Sequence, residues 1–173
     1  MILVGPRERD DGFPTAVNEL GRTLGFPVFA EAASNCRFGF PESIWAYDAL
    51  VRSSKWAERL RPEVVLRFGG GITLKQPQAW LDSSRARIFA FTDEPQPFDP
   101  NHSAEAFFSG DLAAITGALI QPGKGELRSL ALSAQERLER VLDARTAMEE
   151  GPIARTVIRA LPAGTNLLLA SSM

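Results

Sequence analysis

The sequence predicts an α/β fold with a mostly parallel sheet, and three observations carry that expectation. Short apolar runs alternate with amphipathic stretches along the chain, the pattern of strands joined by crossover helices. One run, Val64-Val65-Leu66-Arg67-Phe68, passes through Gly69-Gly70-Gly71 into a helical stretch that opens with Leu74-Lys75, the strand-loop-helix order of such units. With 173 residues, 45% of them hydrophobic and 23% charged, the chain is long enough to bury a full core.

Ile2–Gly5 reads as the first strand and Thr15–Leu24 as the first helix. Val28–Ala30 follows as a strand, then a helix over Ser43–Leu50 with a continuation near Lys55–Leu60. Val64–Phe68 is the third strand and Leu74–Leu81 the helix after it, succeeded by strands at Ile88–Thr92 and Ala106–Phe108. Leu112–Ile120 has Leu112, Ile115 and Leu119 on one face and Asp111 at the N-cap position, so it reads as a capped amphipathic helix. Gln121-Pro122-Gly123-Lys124-Gly125 breaks the chain, and Ser133–Glu150 then reads as a long charged helix with a stripe of Leu138, Val141, Leu142 and Met148. A helix of about ten residues runs from Gly151-Pro152 to Leu161, stopped by Pro162, before a last strand at Leu167–Ala170. An end just after a strand, where an α/β unit turns into its next loop, points to a fragment.

Composition narrows the function classes. A formal charge of −2 and a pI near 5.5 supply no basic face for nucleic acid. Cys36 stands alone, which rules out an internal disulfide and fits a reducing, cytoplasmic setting. There is no apolar run of the roughly 18 residues a membrane span needs, and Met1-Ile2-Leu3-Val4 breaks at Gly5-Pro6, too early for a signal-peptide core. His102 and Cys36, the one histidine and the one cysteine, leave a zinc site almost without ligands.

The glycine loop after Phe68 invites comparison with phosphate-binding patterns, because glycines admit close backbone approach and helix N-termini attract anions. Gly69 and Gly71 fit G-x-G-x-x-G, but Leu74 occupies the third glycine position; Lys75 followed by Gln76 also fails the G-x-x-x-x-G-K-[ST] pattern. A loop that merely turns tightly is the competing reading. Lys75 in the first helical turn is disfavoured by the helix dipole, so it calls for an anionic partner or full exposure. Gly110-Asp111-Leu112 resembles the start of the motif that holds Mg²⁺ and thiamine diphosphate, but the next asparagine is Asn166, and the capping reading of Asp111 prevails. In Ser34-Asn35-Cys36-Arg37-Phe38-Gly39, a loop at a strand's carboxyl end, Arg37 could fork onto a carboxylate or pair with a surface glutamate. Cys36 reads as a packing residue, His102 as an exposed loop residue, and Trp45, Trp56 and Trp80 as packing groups.

The ordered blocks Pro27-Val28-Phe29-Ala30-Glu31-Ala32-Ala33-Ser34-Asn35-Cys36-Arg37, Val64-Val65-Leu66-Arg67-Phe68-Gly69, Thr73-Leu74-Lys75, Trp80-Leu81 and Phe98-Asp99-Pro100 resemble the middle part of the MenD family. Ala154-Arg155, Arg159-Ala160-Leu161-Pro162 and Leu167-Leu168-Leu169-Ala170-Ser171-Ser172-Met173 look like the opening of that family's C-terminal domain. The resemblance implies a Rossmann-like three-layer fold over residues 1–125, a connector helix over 126–150 and a truncated start of a diphosphate-binding domain over 151–173. It also implies a parent that adds decarboxylated 2-oxoglutarate to isochorismate on thiamine diphosphate and Mg²⁺, both held by flanking N- and C-terminal domains. On this reading the fragment has no catalytic, cofactor or metal residues and is inert alone. Lys75 matches a family position that meets substrate carboxylates, with Arg37 and Arg67 as weaker candidates for substrate binding or for ion pairs between domains. Gln76 stands where some relatives carry arginine. Self-association of exposed domain surfaces is a further expectation. The alternative is a free-standing, Rossmann-like regulatory module that binds a small molecule at the sheet's carboxyl edge; a purely structural spacer is a third.

Overall fold

The computed structural model describes residues 1–7, 11–95, 99–145 and 149–167. The chain divides into two compact units, Met1–Glu136 and Arg137–Met173. In the first unit β1 (Ile2–Val4), α1 (Phe13–Leu24), β2 (Val28–Ala30), α2 (Tyr47–Arg52), α3 (Ser54–Arg59), β3 (Val64–Phe68), α4 (Lys75–Ser84), β4 (Arg87–Thr92), β5 (Ala104–Ser109) and α5 (Leu112–Leu119) follow one another. α6 (Leu127–Asp143) begins in the first unit, and α7 (Glu150–Ala160) lies in the second.

All five strands pair in parallel, in the order β2-β1-β3-β4-β5. This is a doubly wound, Rossmann-like α/β sheet, with its direction of winding reversed between β1 and β3. α1 packs with α5, and α2 with α3 and α4. Alternate strand residues serve the two faces. Ile2, Val4, Val28, Ala30, Phe68 and Phe91 build one core with Phe13, Val17 and Leu20 of α1 and Leu112 of α5. There Phe68 stacks on Phe91 at 4.7 Å between ring centroids, and Phe13 leans on Phe68 at 5.5 Å. On the other face Phe29 stacks on Tyr47 at 5.3 Å and lies 6.2 Å from Trp80. A central strand covered on both faces must be apolar at almost every position, which is why these segments stand out in the sequence.

α1 shows how the local sequence sets an element. Phe13, Val17, Leu20 and Gly21 fall on one buried stripe, Pro14 suits the first turn, and Gly25 ends the helix in the left-handed region at φ 70°. α5 is capped as expected: the Asp111 side chain accepts hydrogen bonds from the Ala113 and Ala114 amides at 2.9 and 3.3 Å.

Two helices start well away from where the sequence predicts. The expected helix over Ser43–Leu50 begins only at Tyr47, because Ile44 pairs with the edge of β2: its amide donates to the Val28 carbonyl at 2.7 Å, and it accepts from the Ala30 amide at 3.3 Å. The helix expected over Ser133–Glu150 runs from Leu127 to Asp143, with Ala131, Ala134 and Gln135 buried and Val141 56% exposed. Packing of the early stripe draws the helix start toward Gly125. Gln135 anchors it, accepting from the Trp45 and Ala46 amides at 2.9 and 3.2 Å and donating to the Ser43 carbonyl at 3.2 Å. Leu167 is not in a strand, and the rest of the expected Leu167–Ala170 strand lies outside the described residues.

Candidate functional site

In a doubly wound sheet the ligand crevice opens at the carboxyl ends of the strands, where the winding reverses. Here that point lies between β1 and β3, and the loops that follow these strands meet over it. A Cβ on Gly5 would stand 1.9 Å from the Gly70 carbonyl oxygen, so the two backbones touch where side chains would hold them apart. The Gly69 amide donates to the Phe91 carbonyl at 3.0 Å and the Gly70 amide to the Pro6 carbonyl at 3.1 Å. Amides that a phosphate loop would turn toward its ligand are therefore spent inside the fold. The tight-turn reading of the glycines is the one this geometry realises.

The loop continues over the end of β1 toward β2. Glu31, directly after β2 and only 6% exposed, receives it: its carboxylate accepts from the Thr73 amide at 3.1 Å, the Thr73 hydroxyl at 2.6 Å and the Tyr47 hydroxyl at 2.6 Å. Burial and the neighbouring Glu31 carboxylate raise the Tyr47 phenol well above its ordinary pKa. Lys75 then opens α4. It is exposed, the helix start at Leu74 has no side-chain cap, and no acidic residue occupies the first turn.

Arg37 is half-buried and donates to the Trp45 carbonyl at 3.3 Å. Burial lowers its pKa, opposed by the nearby Tyr47 and Glu31. Arg37 is near enough to Tyr47 and Glu31 for their charges to act on it, while Lys75 follows the loop that Glu31 holds through Thr73. Arg67 is not in that group. Its guanidinium pairs with Asp99 at 3.2 Å, both side chains less than a tenth exposed. The pair borders a hollow of about 140 Å³ with Gly71, Gln78 and Asn101. Asp99 also accepts from the Ser103 hydroxyl at 3.0 Å and the Ala104 amide at 2.8 Å. Burial works to raise its pKa, but these donors and Arg67 hold it below the ordinary carboxylate value.

The sequence reading missed Arg7. This residue is 7% exposed, bonds Asp11 and Asp93 at 2.8 Å each and lies 4.8 Å over the Phe13 ring. Both carboxylates raise its pKa against the cost of burial. The Arg7-to-Asp11 spacing was a local signal, but the contact with Asp93 spans 86 positions and has none. A hollow of about 480 Å³ opens beside it, lined by Asp11, Asp93, Ser109, Gly110 and Asp111. Glu31 was missed as well, although it stands in the block that carries the resemblance.

Cys36 is buried, and burial pushes its thiol up to about 12, the environment of a packing residue. His102 is exposed in the loop before β5. Trp80 packs near Phe29 and donates to the Ala57 carbonyl at 2.9 Å, while Trp56 carries the Arg59 guanidinium 5.0 Å above its ring. Among the described residues no group of three His, Cys, Asp or Glu is arranged to hold a metal, and no helix is long and apolar enough to cross a membrane.

No family model matches the chain. Curated relatives match it from end to end. It is 41% identical to a 2-succinyl-5-enolpyruvyl-6-hydroxy-3-cyclohexene-1-carboxylate synthase of Myxococcus xanthus, over 100% of this chain and 31% of that protein. Synthases of the same name from Geobacillus kaustophilus and Geobacillus thermodenitrificans are 34% and 31% identical, again over 100% of this chain and 32% and 31% of theirs. The chain thus spans about a third of the length of these relatives. Its end-to-end match to one synthase after another, on a parallel sheet of the expected kind, makes this chain similar to one part of these MenD-type synthases.

Proposed function

We propose that this chain is the central, non-catalytic domain of a thiamine-diphosphate-dependent synthase of menaquinone biosynthesis, one that joins decarboxylated 2-oxoglutarate to isochorismate. Its contribution is twofold: a scaffold between the flanking domains, and a cationic contact for a substrate carboxylate. The observation that carries the second part is Lys75, an exposed ammonium group at the uncapped start of α4, beyond the carboxyl edge of the sheet. A lysine there is repelled by the helix dipole and gains from an incoming anion. Arg37 and Arg67 have partners inside the domain, so the anion contact is assigned to Lys75.

Thiamine diphosphate would supply the stabilised carbanion when bound to the parent. That group and its metal are assigned to the flanking domains in this reading. Residues 1–125 form the central domain in this reading, 126–150 the connector and 151–173 the start of the C-terminal domain. Phe107 and Phe108, 43% and 45% exposed on the open edge at β5, support contact with another domain or a second copy. A lone buried cysteine fits a cytoplasmic setting.

Steady-state kinetics of the complete enzyme test the assignment. Lys75→Ala is expected to raise the KM for one acidic substrate about tenfold, as loss of a charge-assisted contact does, with kcat nearly kept. Wild-type constants for both substrates would remove Lys75 from the site.

A further inference from the structure

We propose that Glu31 is a positioning residue: through Thr73 it sets the path of the loop that delivers Lys75, so substrate affinity depends on a carboxylate that never touches substrate. The proposal rests on the assignment of Lys75 to anion recognition.

β2 and β3 are not neighbours, since β1 lies between them. The bonds from Glu31 to Thr73 therefore cross the end of β1 and tie the loop after β3 to the far side of the winding reversal. Glu31 is itself fixed by its backbone, whose amide donates to the Val4 carbonyl at 2.9 Å. Its side chain is fixed by Tyr47, which α2 carries and which stacks on Phe29. A buried carboxylate is costly unless donors surround it, and two of its three donors here come from Thr73. If the loop leaves its path, Glu31 loses those bonds, so the carboxylate favours one loop conformation.

Apart from the first turn of α4 itself, Lys75 has little else to place it. Leu74 is extended, 39% exposed and gives α4 no cap, and the next buried residue of the helix is Pro77. The Gln78 amide ties Leu74 to the helix through its carbonyl at 3.2 Å, and Thr73, two residues before Lys75, is the nearest point anchored outside the helix. A cation on a misplaced backbone still attracts an anion, but not at the spot the reaction needs.

Kinetics of the complete enzyme separate this role from a merely structural one, with Lys75→Ala measured beside each variant. Thr73→Val keeps the shape of the side chain and removes the hydroxyl. It is expected to raise the KM of the same substrate that Lys75→Ala affects, by about fivefold to tenfold, while kcat per folded enzyme stays within about twofold. Thr73→Ser, which keeps the hydroxyl, is expected to retain the wild-type KM. Thr73→Val combined with Lys75→Ala should be no worse than Lys75→Ala alone, because both act through one contact. A wild-type KM for Thr73→Val beside a raised KM for Lys75→Ala would overturn the role of Glu31 and leave that of Lys75 standing. Additive effects in the double variant would overturn it too, and a wild-type KM for Lys75→Ala would overturn both. Glu31→Gln is expected to repeat the KM shift; if that variant does not fold, the surface variant Thr73→Val decides the matter.

Discussion

Gly5 and Gly70 meet backbone to backbone over the end of the sheet, where a Cβ on Gly5 would come within 1.9 Å of the Gly70 carbonyl oxygen. The contact lies at the edge that doubly wound sheets commonly use for ligands. It also turns two glycines of unrelated loops into a single packing unit. Gly5→Ala is expected to destabilise the chain by about 3 kcal/mol, since backbone on both sides must shift to admit the methyl group. Gly117→Ala is the control: Gly117 lies in α5 with open space around it, and the substitution should stabilise by about 0.5–1 kcal/mol. Urea unfolding of the two variants checks both signs, and equal stability of Gly5→Ala and wild type would show that the loops do not meet.

The Arg67 and Asp99 pair sets a second expectation. Removing one partner of a buried ion pair strands the other, so Asp99→Asn should cost about 3 kcal/mol at neutral pH. Because Asp99 titrates below its unfolded value, its stabilisation is complete above the ordinary carboxylate pKa and is lost as pH falls through the folded one. The stability gap between wild type and Asp99→Asn should therefore hold from pH 7 to about pH 5 and close below about pH 4. Denaturant melts across that range test it; a gap that widens in acid would reverse the sign.

Cys36 reports on the integrity of the same edge. With the side chain buried and the thiol raised to about 12, alkylation of the native protein at pH 8 should be slower than that of the unfolded chain by orders of magnitude. Labelling with a maleimide, with and without denaturant, measures the ratio. Prompt modification of the folded protein would mean that the loop after β2 opens readily.

How much of this was legible beforehand depends on the reach of each interaction. The Asp111 cap and the stripe of α1 rest on residues a few positions apart, and both are readable. The start of α2 was misread because Ser43–Ala46 looks locally helical, yet Ile44 finds a better partner in the edge of β2 and Gln135 takes the amides of Trp45 and Ala46. Arg67 was open to a substrate or an ion pair between domains; its partner Asp99 stands 32 positions away within the same unit. Thr73 and Glu31 are 42 positions apart, and neither has a local feature that announces the other.

By itself the sequence determined the α/β class, the order of strands and helices, the family resemblance and the place of Lys75 in the first turn of a helix, because periodicity, caps and motif order are written within short windows. Only the tertiary structure decided that the glycine loop closes on Gly5, that Arg67 is spent on Asp99 and that Glu31 holds Thr73. Those outcomes depend on which strands lie side by side, and a parallel sheet makes neighbours of residues that the chain keeps far apart.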